Sequence, residues 1–344
     1  KSNFLKLLKE LREAFDPHGY LLTAALSPGK QTMDAAYGDV PLMNELLDWG
    51  NVMTYDYHGG WEDILGHNAP LYSRPDETEE LERKLHTNYR TFNVNYTVNY
   101  YLSLGLKKEK MVMGVPFYGR GWTLMSKDKH NLHDIAKGMS PEGFIGGEAG
   151  VLGYNELCQL ELKDPSQWHN EYDPYYRAPY AYNDEIFIGY EDVDSISCKI
   201  AFLKSMGLSG GMVWALENDD FRSKCGGGKN PLMNKVHRML NGDEIKSLEC
   251  KFAPTPTPPP PTTPTTQPTT PPTTPPTTPP TTKPTTQGTT SSVTSSVDYW
   301  CSRDGYMPHP SDPHKYFQCE WIPGTGWYLH DRTCPDHTTW VQKD

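Results

Sequence analysis

The chain has 344 residues, enough for two ordinary domains and a sizeable hydrophobic core. Its formal net charge of −11 at pH 7 argues against a nucleic-acid partner, because phosphate binding needs clustered Lys and Arg side chains. No apolar run reaches the ~18 residues that cross a bilayer, so we expect no membrane-spanning segment and no membrane partner.

Composition divides the chain into three regions. Residues 1–252 mix apolar, charged and aromatic side chains, and residues 298–344 are short, aromatic and cysteine-bearing. Residues 253–297 consist almost entirely of Pro, Thr, Ser, Gln and Gly. Because this middle region has almost nothing to bury, we expect an extended, disordered linker, either bare or O-glycosylated.

Helical and strand patterns alternate along the first region. Helices are predicted over 3–16, where the apolar face is followed by Pro17 and Gly19, and over 94–104. Short apolar strands are predicted at 21–26, 52–55, 111–115 and 211–215. Strands separated by helices predict a parallel sheet, as in a β/α barrel. The irregular aromatic stretch over 121–186 is interpreted as an inserted subdomain.

Aromatic and polar side chains follow three of these strands. They are Met53, Tyr55, Asp56 and Trp61 after the second strand, Tyr118, Arg120 and Trp122 after the third, and Trp214 at the fourth. In a β/α barrel the strand ends carry the chemistry, and aromatic rings stack on the apolar faces of sugars. Each residue taken singly could be a core aromatic. The repetition at three strand ends favours a carbohydrate-binding groove.

Several strings resemble glycoside hydrolase family 18, the chitinases. Met53-Thr-Tyr-Asp56 matches the family's Met-x-Tyr-Asp motif, and the stretches 66–72, 114–120 and 211–220 match three others. Together with the linker and terminal region, they resemble mite chitinases of the group 15 allergen type. The resemblance implies the C-terminal half of a (β/α)8 TIM barrel with an α+β insertion. We therefore expect a fragment, whose first four barrel strands lie upstream of Lys1.

The resemblance also implies a substrate and a mechanism. The substrate is chitin or N-acetylglucosamine oligomers, and its own acetamide oxygen attacks the anomeric carbon to give an oxazolinium ion. Tyr55 and Asp56 would hold and polarise the acetamide. The residues expected to contact substrate are Met53, Thr54, Tyr55, Asp56, Trp61, Tyr118, Arg120 and Trp214.

One family motif is absent from the chain. The general acid is a Glu in an Asp-x-x-Asp-x-Asp-x-Glu string, which does not occur in these residues. Glu217, Asp219 and Asp220 are interpreted as structural rather than as replacements. We therefore expect a chitinase as the full-length protein and an inactive polypeptide when these residues are made alone. The alternatives are a chitin lectin on the same fold and a mucin-like structural protein.

The terminal region resembles a peritrophin-type chitin-binding module, truncated at its C-terminus. Two strands are predicted at 316–322 and 327–329, with Trp321, Trp327 and Tyr328 as candidate sugar-stacking residues or, equally, as a small core. The family pattern implies a Cys301–Cys319 disulfide and leaves Cys334 without a partner.

Cysteines, a glycosylation sequon and a pair of histidines give further expectations. The resemblance implies a Cys158–Cys225 disulfide, while Cys198 and Cys250 could pair with each other. Asn95-Tyr-Thr97 is an N-glycosylation sequon. His130 and His133 are three residues apart but lack a third ligand, so we expect neither a metal nor a cofactor. Linker, sequon and cysteines favour a secreted, extracellular monomer.

Overall fold

The computed structural model describes residues 2–242 and 250, and the backbone of residues 305–308, 315–322 and 326–333. Its contacts divide the chain into two compact units, Lys1–Pro261 and Thr262–Asp344, each described by itself below. The predicted linker at 253–297 lies outside the described residues. None of the helices described in these ranges is long and apolar enough to cross a membrane.

A four-stranded parallel sheet forms the base of the first unit. Its strand order is β1-β2-β3-β10, with the bounds Thr23–Leu26, Trp49–Val52, Met111–Pro116 and Gly210–Trp214. The register pairs Val52 with Met113 and Trp214 with Pro116, so the carboxyl ends of β2, β3 and β10 meet at one edge. The predicted parallel arrangement is therefore present in this sheet.

Most helices of the first unit contribute to the main hydrophobic core. Outside the inserted subdomain, the helices are α1 Ser2–Phe15, α2 Lys30–Thr32 with a π turn Met33–Tyr37, α3 Val40–Leu46, α4 Glu79–Leu85, α5 Val94–Ser103, α7 Val193–Met206 and α8 Pro231–Leu240. The core contains fully buried side chains such as Leu26, Met43, Val98 and Ile200. As predicted, α1 ends just before Pro17, and Gly19 follows in the left-handed region at φ 65°.

An antiparallel sheet is inserted between β3 and α7. Its strands are β4 Tyr118–Leu124, β5 Ala136–Met139, β6 Val151–Gly153, β7 His169–Asp173, β8 Ala178–Tyr182 and β9 Ile186–Gly189, with helix α6 at Tyr154–Lys163. The main strand order is β5-β4-β9-β8-β7, and β6 pairs with β4. The insertion thus spans 118–189 and is wider than the predicted 121–186. The sequence patterns did not predict β4 as a separate strand, because a single residue separates the end of β3 at Pro116 from the start of β4 at Tyr118.

Two predictions of detail were wrong. The second strand ends at Val52, not at residue 55, because the backbone turns there and the amide of Thr54 donates to the carbonyl of Val52 at 2.9 Å. Trp122 is not in the groove: it is fully buried against Phe187, and its Nε1–H donates to the carbonyl of Glu62 at 3.1 Å.

Glu161 on α6 makes the stability of the insertion depend on pH. Burial raises its pKa from 4.5 to about 7, partly offset by a hydrogen bond with Asn170. A carboxyl with a raised pKa stabilises the folded chain fully below about pH 4.5, and this contribution is lost as pH rises through 7. Glu161→Gln should therefore flatten this decline by about 1 kcal/mol, since the side chain is partly in water.

Urea denaturation at pH 4.5 and pH 8 measures this effect, with the exposed Glu10→Gln on α1 as the control. The free energy of unfolding should differ less between pH 4.5 and pH 8 in Glu161→Gln than in the native protein. An equal difference in both proteins would contradict the assignment.

The second unit contains three antiparallel strands in the described residues. They are β11 Gly305–Pro308, β12 Lys315–Ile322 and β13 Gly326–Thr333, in the order β11-β12-β13. The prediction of two strands missed β11. Trp321 pairs in register with Trp327, and Tyr328 pairs with Glu320. The side chains of these residues and of Cys319, and the whole of Cys301, lie outside the described structure. The sugar-stacking and disulfide predictions therefore stay predictions.

Candidate active site

The site lies where β2, β3 and β10 end. The chain leaves β2 through Asp56, leaves β3 directly into β4 with Tyr118 and Arg120, and completes β10 at Trp214. Parallel strands bring their carboxyl ends to one edge of a sheet, and loops there build binding sites. These four side chains therefore converge although they are up to 158 positions apart in sequence.

They line one cavity of about 460 Å³. The insertion supplies one wall and the segment after β10 supplies another. The lining residues are Asp56, Tyr118, Arg120, Ile145, Gly146, Glu148, Val151, Trp214, Glu217, Asn218 and Phe221. A hollow of this size holds one or two sugar units and has apolar, aromatic and charged walls.

Asp56 is the most constrained side chain of the cavity. Its backbone is in the left-handed region at φ 58°, which is costly for a residue with a Cβ atom. The amide of Asp56 donates to Asn68 at 2.9 Å. Its Oδ1 accepts from the hydroxyl of Tyr118 at 2.6 Å and from Nε of Arg120 at 2.8 Å. Three contacts hold the carboxylate in this unusual position, and both side-chain donors reach the same oxygen.

Tyr55 lies behind Asp56 and is 4% exposed. Its ring packs edge-on against that of Tyr118 at a centroid distance of 6.1 Å. Burial, and next the charge of Asp56, raise the pKa of Tyr55, and burial likewise raises the pKa of Tyr118. Both hydroxyls therefore stay protonated. Among the described residues, the hydroxyl of Tyr55 has one hydrogen-bond partner, the weak acceptor Sδ of Met212 at 3.7 Å, so it remains able to donate to a ligand.

Thr54 does not contact the cavity. It is fully buried, and its hydroxyl donates to the carbonyl of Gly114 at 2.6 Å. Its side chain faces β3 rather than the cavity, so Thr54 as a substrate contact stays a prediction. Met53 is partly buried in the small apolar cluster of Tyr55 and Tyr118, below the cavity.

Two tryptophans present exposed rings at the site. Trp214 is 59% exposed and lines the cavity, and a cis peptide joins it to Ala215. Trp61 is 50% exposed and lies next to Arg120, whose guanidinium carbon is 5.0 Å from its ring centroid. Arg120 thus connects the Trp61 loop to Asp56. Exposed rings of this kind offer flat apolar faces on which a ligand could stack.

Sequence reasoning missed several residues that line the cavity or support its lining. Asn68 accepts from the amide of Asp56 and donates to the carbonyl of Tyr118 at 2.8 Å, so it fixes both. Glu148 lies 3.6 Å from Arg120 and comes from the insertion, as do Ile145 and Val151. Only the matching stretch 66–72 could have signalled Asn68. No pattern places the insertion loop beside β10.

The carboxylates after β10 divide into two kinds. Asp219 is buried and accepts from the amide of Met233 at 2.8 Å, at the start of α8. Asp220 is buried and accepts from the amides of Lys224 and Cys225. Their contacts agree with a structural role. Glu217 is exposed and lines the cavity, which the structural interpretation did not anticipate.

Two disulfides are present in the first unit. Cys158 pairs with Cys225, joining α6 of the insertion to the segment after β10, and Cys198 on α7 pairs with Cys250. Asn95 is partly exposed at the start of α5 and accepts from Asn99 at 3.0 Å, which leaves its glycosylation a prediction. Among the described residues, no group of three His, Cys, Asp or Glu side chains could hold a metal.

Comparison with known proteins places these features in a family. The family model of glycosyl hydrolases family 18 matches residues 1–219. Probable chitinase 10 of Drosophila melanogaster is 39% identical over 241 residues, which are 70% of this chain and 10% of that protein.

Two solved structures are similar over 70% of the chain. A Group IV chitinase of Ostrinia furnacalis in complex with allosamidin has a TM-score of 0.63 and 39% identity, with 62% of that chain covered. Human YKL-39, described as a pseudo-chitinase with retained chitooligosaccharide binding, has a TM-score of 0.64 and 34% identity, with 65% covered. The chain thus spans a tenth of the first relative and less than two thirds of both solved chains.

Proposed function

The chain belongs to glycosyl hydrolases family 18, and from this we propose that it forms the acetamide-binding side of the active site of a secreted chitinase. The observation that carries the proposal is the convergence of Asp56, Tyr118, Arg120 and Trp214 around one hollow, with the ring of Tyr55 packed against Tyr118 behind it. Each belongs to a motif whose members in this family grip an N-acetylated sugar.

Asp56 is suited to orient the substrate acetamide. Both donors within the protein reach Oδ1, so Oδ2 keeps its lone pairs for the N–H of an acetamide. The hydroxyl of Tyr55 can donate to the acetamide oxygen from the other side. Trp214 offers an exposed ring on which the reacting sugar stacks. Because the donors and the charge are fixed before substrate arrives, they can stabilise charge that develops during the reaction.

The proposed reaction is substrate-assisted and retaining. The acetamide oxygen forms a bond to the anomeric carbon while the glycosidic bond breaks, and the leaving oxygen takes a proton from a general acid. The positive charge of the resulting oxazolinium ion lies beside the carboxylate of Asp56. Water then opens the ring with retention. The family's general-acid Glu lies in a string that residues 1–344 do not contain.

A chitin lectin on the same fold is the second candidate. The similarity to human YKL-39, a pseudo-chitinase that retains oligosaccharide binding, favours it. The two candidates differ at the general-acid position of the complete protein, where Glu indicates the enzyme and Gln or Leu the lectin.

Secretion and a second chitin contact belong to the same proposal. The two disulfides support an oxidising compartment. The three-stranded second unit is proposed to bind chitin through Trp321, Trp327 and Tyr328.

Trp214→Ala tests the proposal. We expect residues 1–344 to bind an N-acetylglucosamine hexamer, and the variant to bind about tenfold more weakly because a stacked ring is lost. Isothermal titration calorimetry measures both affinities. Tyr20→Ala is the matched control, because Tyr20 is an aromatic residue that is also 59% exposed but lies outside the cavity. Equal affinities for the native protein and Trp214→Ala would contradict the proposal.

A further inference from the structure

A buried histidine lies directly behind the Trp61 loop. His58 is 1% exposed, and its Nδ1–H donates to Oε2 of Glu62 at 2.8 Å. Its ring packs against Tyr89 at a centroid distance of 4.7 Å and against Phe92 at 5.5 Å. Within the described part of the chain, the other ring nitrogen, Nε2, has no hydrogen-bond partner. A buried nitrogen without a partner is costly, so stability alone does not account for this side chain.

Glu62 is fixed at four points around the turn that carries Trp61. Its amide donates to the carbonyl of Gly59 at 2.9 Å, and its own carbonyl accepts from Nε1 of Trp122 at 3.1 Å. Its carboxylate accepts from His58 at one oxygen and from Thr87 at the other, at 3.2 Å. The turn over residues 59–62 is therefore tied to His58, to Thr87 after α4 and, through Trp122, to the insertion.

The ring of Trp61 depends on this turn for its position. It is half exposed, so core packing does not hold it. It lies over Gly59, where a Cβ atom would come within 2.3 Å of the ring atom Cζ3. On the cavity side it meets only the guanidinium of Arg120, at 5.0 Å, among the described aromatic and cation contacts. A shift of the turn would therefore move the ring relative to Arg120 and Asp56.

We propose that the His58–Glu62 pair is a positioning device that holds Trp61 in its sugar-stacking place. The inference rests on the proposed function, since it assigns Trp61 a sugar. His58 and Glu62 are positioning residues rather than catalytic residues, because neither lines the cavity. A sugar ring stacks productively only where the aromatic plane is fixed, and a hydrogen-bonded support behind the contact residue provides this.

A double-mutant cycle tests the proposal by calorimetry with the N-acetylglucosamine hexamer. His58→Ala and Trp61→Ala should each weaken binding about tenfold, and the double variant should be no weaker than Trp61→Ala. Glu62→Gln alone, which retains an acceptor oxygen for His58, should lose much less affinity than His58→Ala. Independent losses that multiply to about a hundredfold, or full affinity in His58→Ala, would overturn the inference.

A destabilised control separates positioning from folding. Asn44 on α3 is also buried and makes two hydrogen bonds, with Gly105 and Lys107, away from the cavity. Asn44→Ala should lower thermal stability but leave affinity unchanged. If the native protein binds no oligomer, the proposed function itself fails, and with it the role of Trp61 as a sugar contact.

The position of Trp61 can also be followed without any ligand. In protein labelled with 5-fluorotryptophan, its ¹⁹F resonance is assigned by its loss in Trp61→Phe. His58→Ala should shift or broaden that resonance, and Asn44→Ala should not. An unmoved resonance in His58→Ala overturns the inference even where the native protein binds the hexamer.

Discussion

Residues 1–344 made alone are expected to leave an N-acetylglucosamine hexamer uncleaved. General acid catalysis contributes about 10²–10⁴-fold to such reactions, because the leaving oxygen is a poor leaving group until it is protonated. In the cavity, Asp56 is held by Tyr118 and Arg120, and Glu148 and Glu217 are exposed to water. A carboxyl group that donates a proton near neutral pH is normally kept protonated by burial. Mass spectrometry of the sugar products over a day measures turnover.

A substrate with an activated leaving group distinguishes a protein that lacks only the general acid from one whose acetamide-binding groups do not work. A dinitrophenyl glycoside of the N-acetylglucosamine dimer needs no protonation to depart. Slow release of dinitrophenol that is abolished in Tyr55→Phe would show that the acetamide-binding groups act without the acid. Release of shorter sugars from the hexamer, in proportion to protein concentration, would contradict the expectation of inactivity.

Replacing Asp56 by Asn is expected to weaken binding of a sugar thiazoline, a stable analogue of the oxazolinium ion, about a hundredfold. The change keeps the size of the side chain and suits the left-handed backbone at φ 58°, where Asn is tolerated. It removes the negative charge beside the developing cation and leaves Arg120 without its 2.8 Å partner charge. Calorimetric titration with the thiazoline measures the loss.

Three comparisons make this result specific to the charge. Asp184→Asn, an exposed acid in the turn between β8 and β9, should bind like the native protein. Tyr118→Phe removes one of the two donors to Asp56 and should lose less than Asp56→Asn. The hexamer should be affected less than the thiazoline, whose ring nitrogen can be protonated beside the carboxylate of Asp56. Equal losses for both ligands would show that Asp56 is structural rather than electrostatic.

The parallel sheet and the strand-end residues could be predicted because local rules determine them. Helix α1 ends at Phe15, two residues before Pro17, and α5 begins at Val94, where the side chain of Asn93 caps the amide of Tyr96 at 2.8 Å. The strand-end residues Asp56 and Trp214 could be named from motif strings. That they share a hollow follows from the parallel register, which local patterning implies once the sheet is assumed.

What escaped prediction depends on contacts between distant segments. Thr54 was expected to contact substrate, but only its hydrogen bond to the carbonyl of Gly114 shows that its hydroxyl faces β3. Asn68 supports Asp56 through two hydrogen bonds that no spacing rule implies. Glu148 reaches the cavity because β6 pairs with β4, and antiparallel pairing within an irregular insertion leaves little periodicity to read.

The Cys158–Cys225 bridge has a consequence for how a polymer could enter the cleft. It ties the insertion, which carries Ile145 and Glu148, to the segment that carries Trp214 and Phe221. The bridge therefore restricts a hinge motion that would separate the two walls, and it limits changes in the width of the cavity. A long polymer would have to enter by its end or from the solvent-exposed side of the cavity. Entry would then depend on how easily one polymer chain detaches from a fibre, rather than on closure of the protein around it.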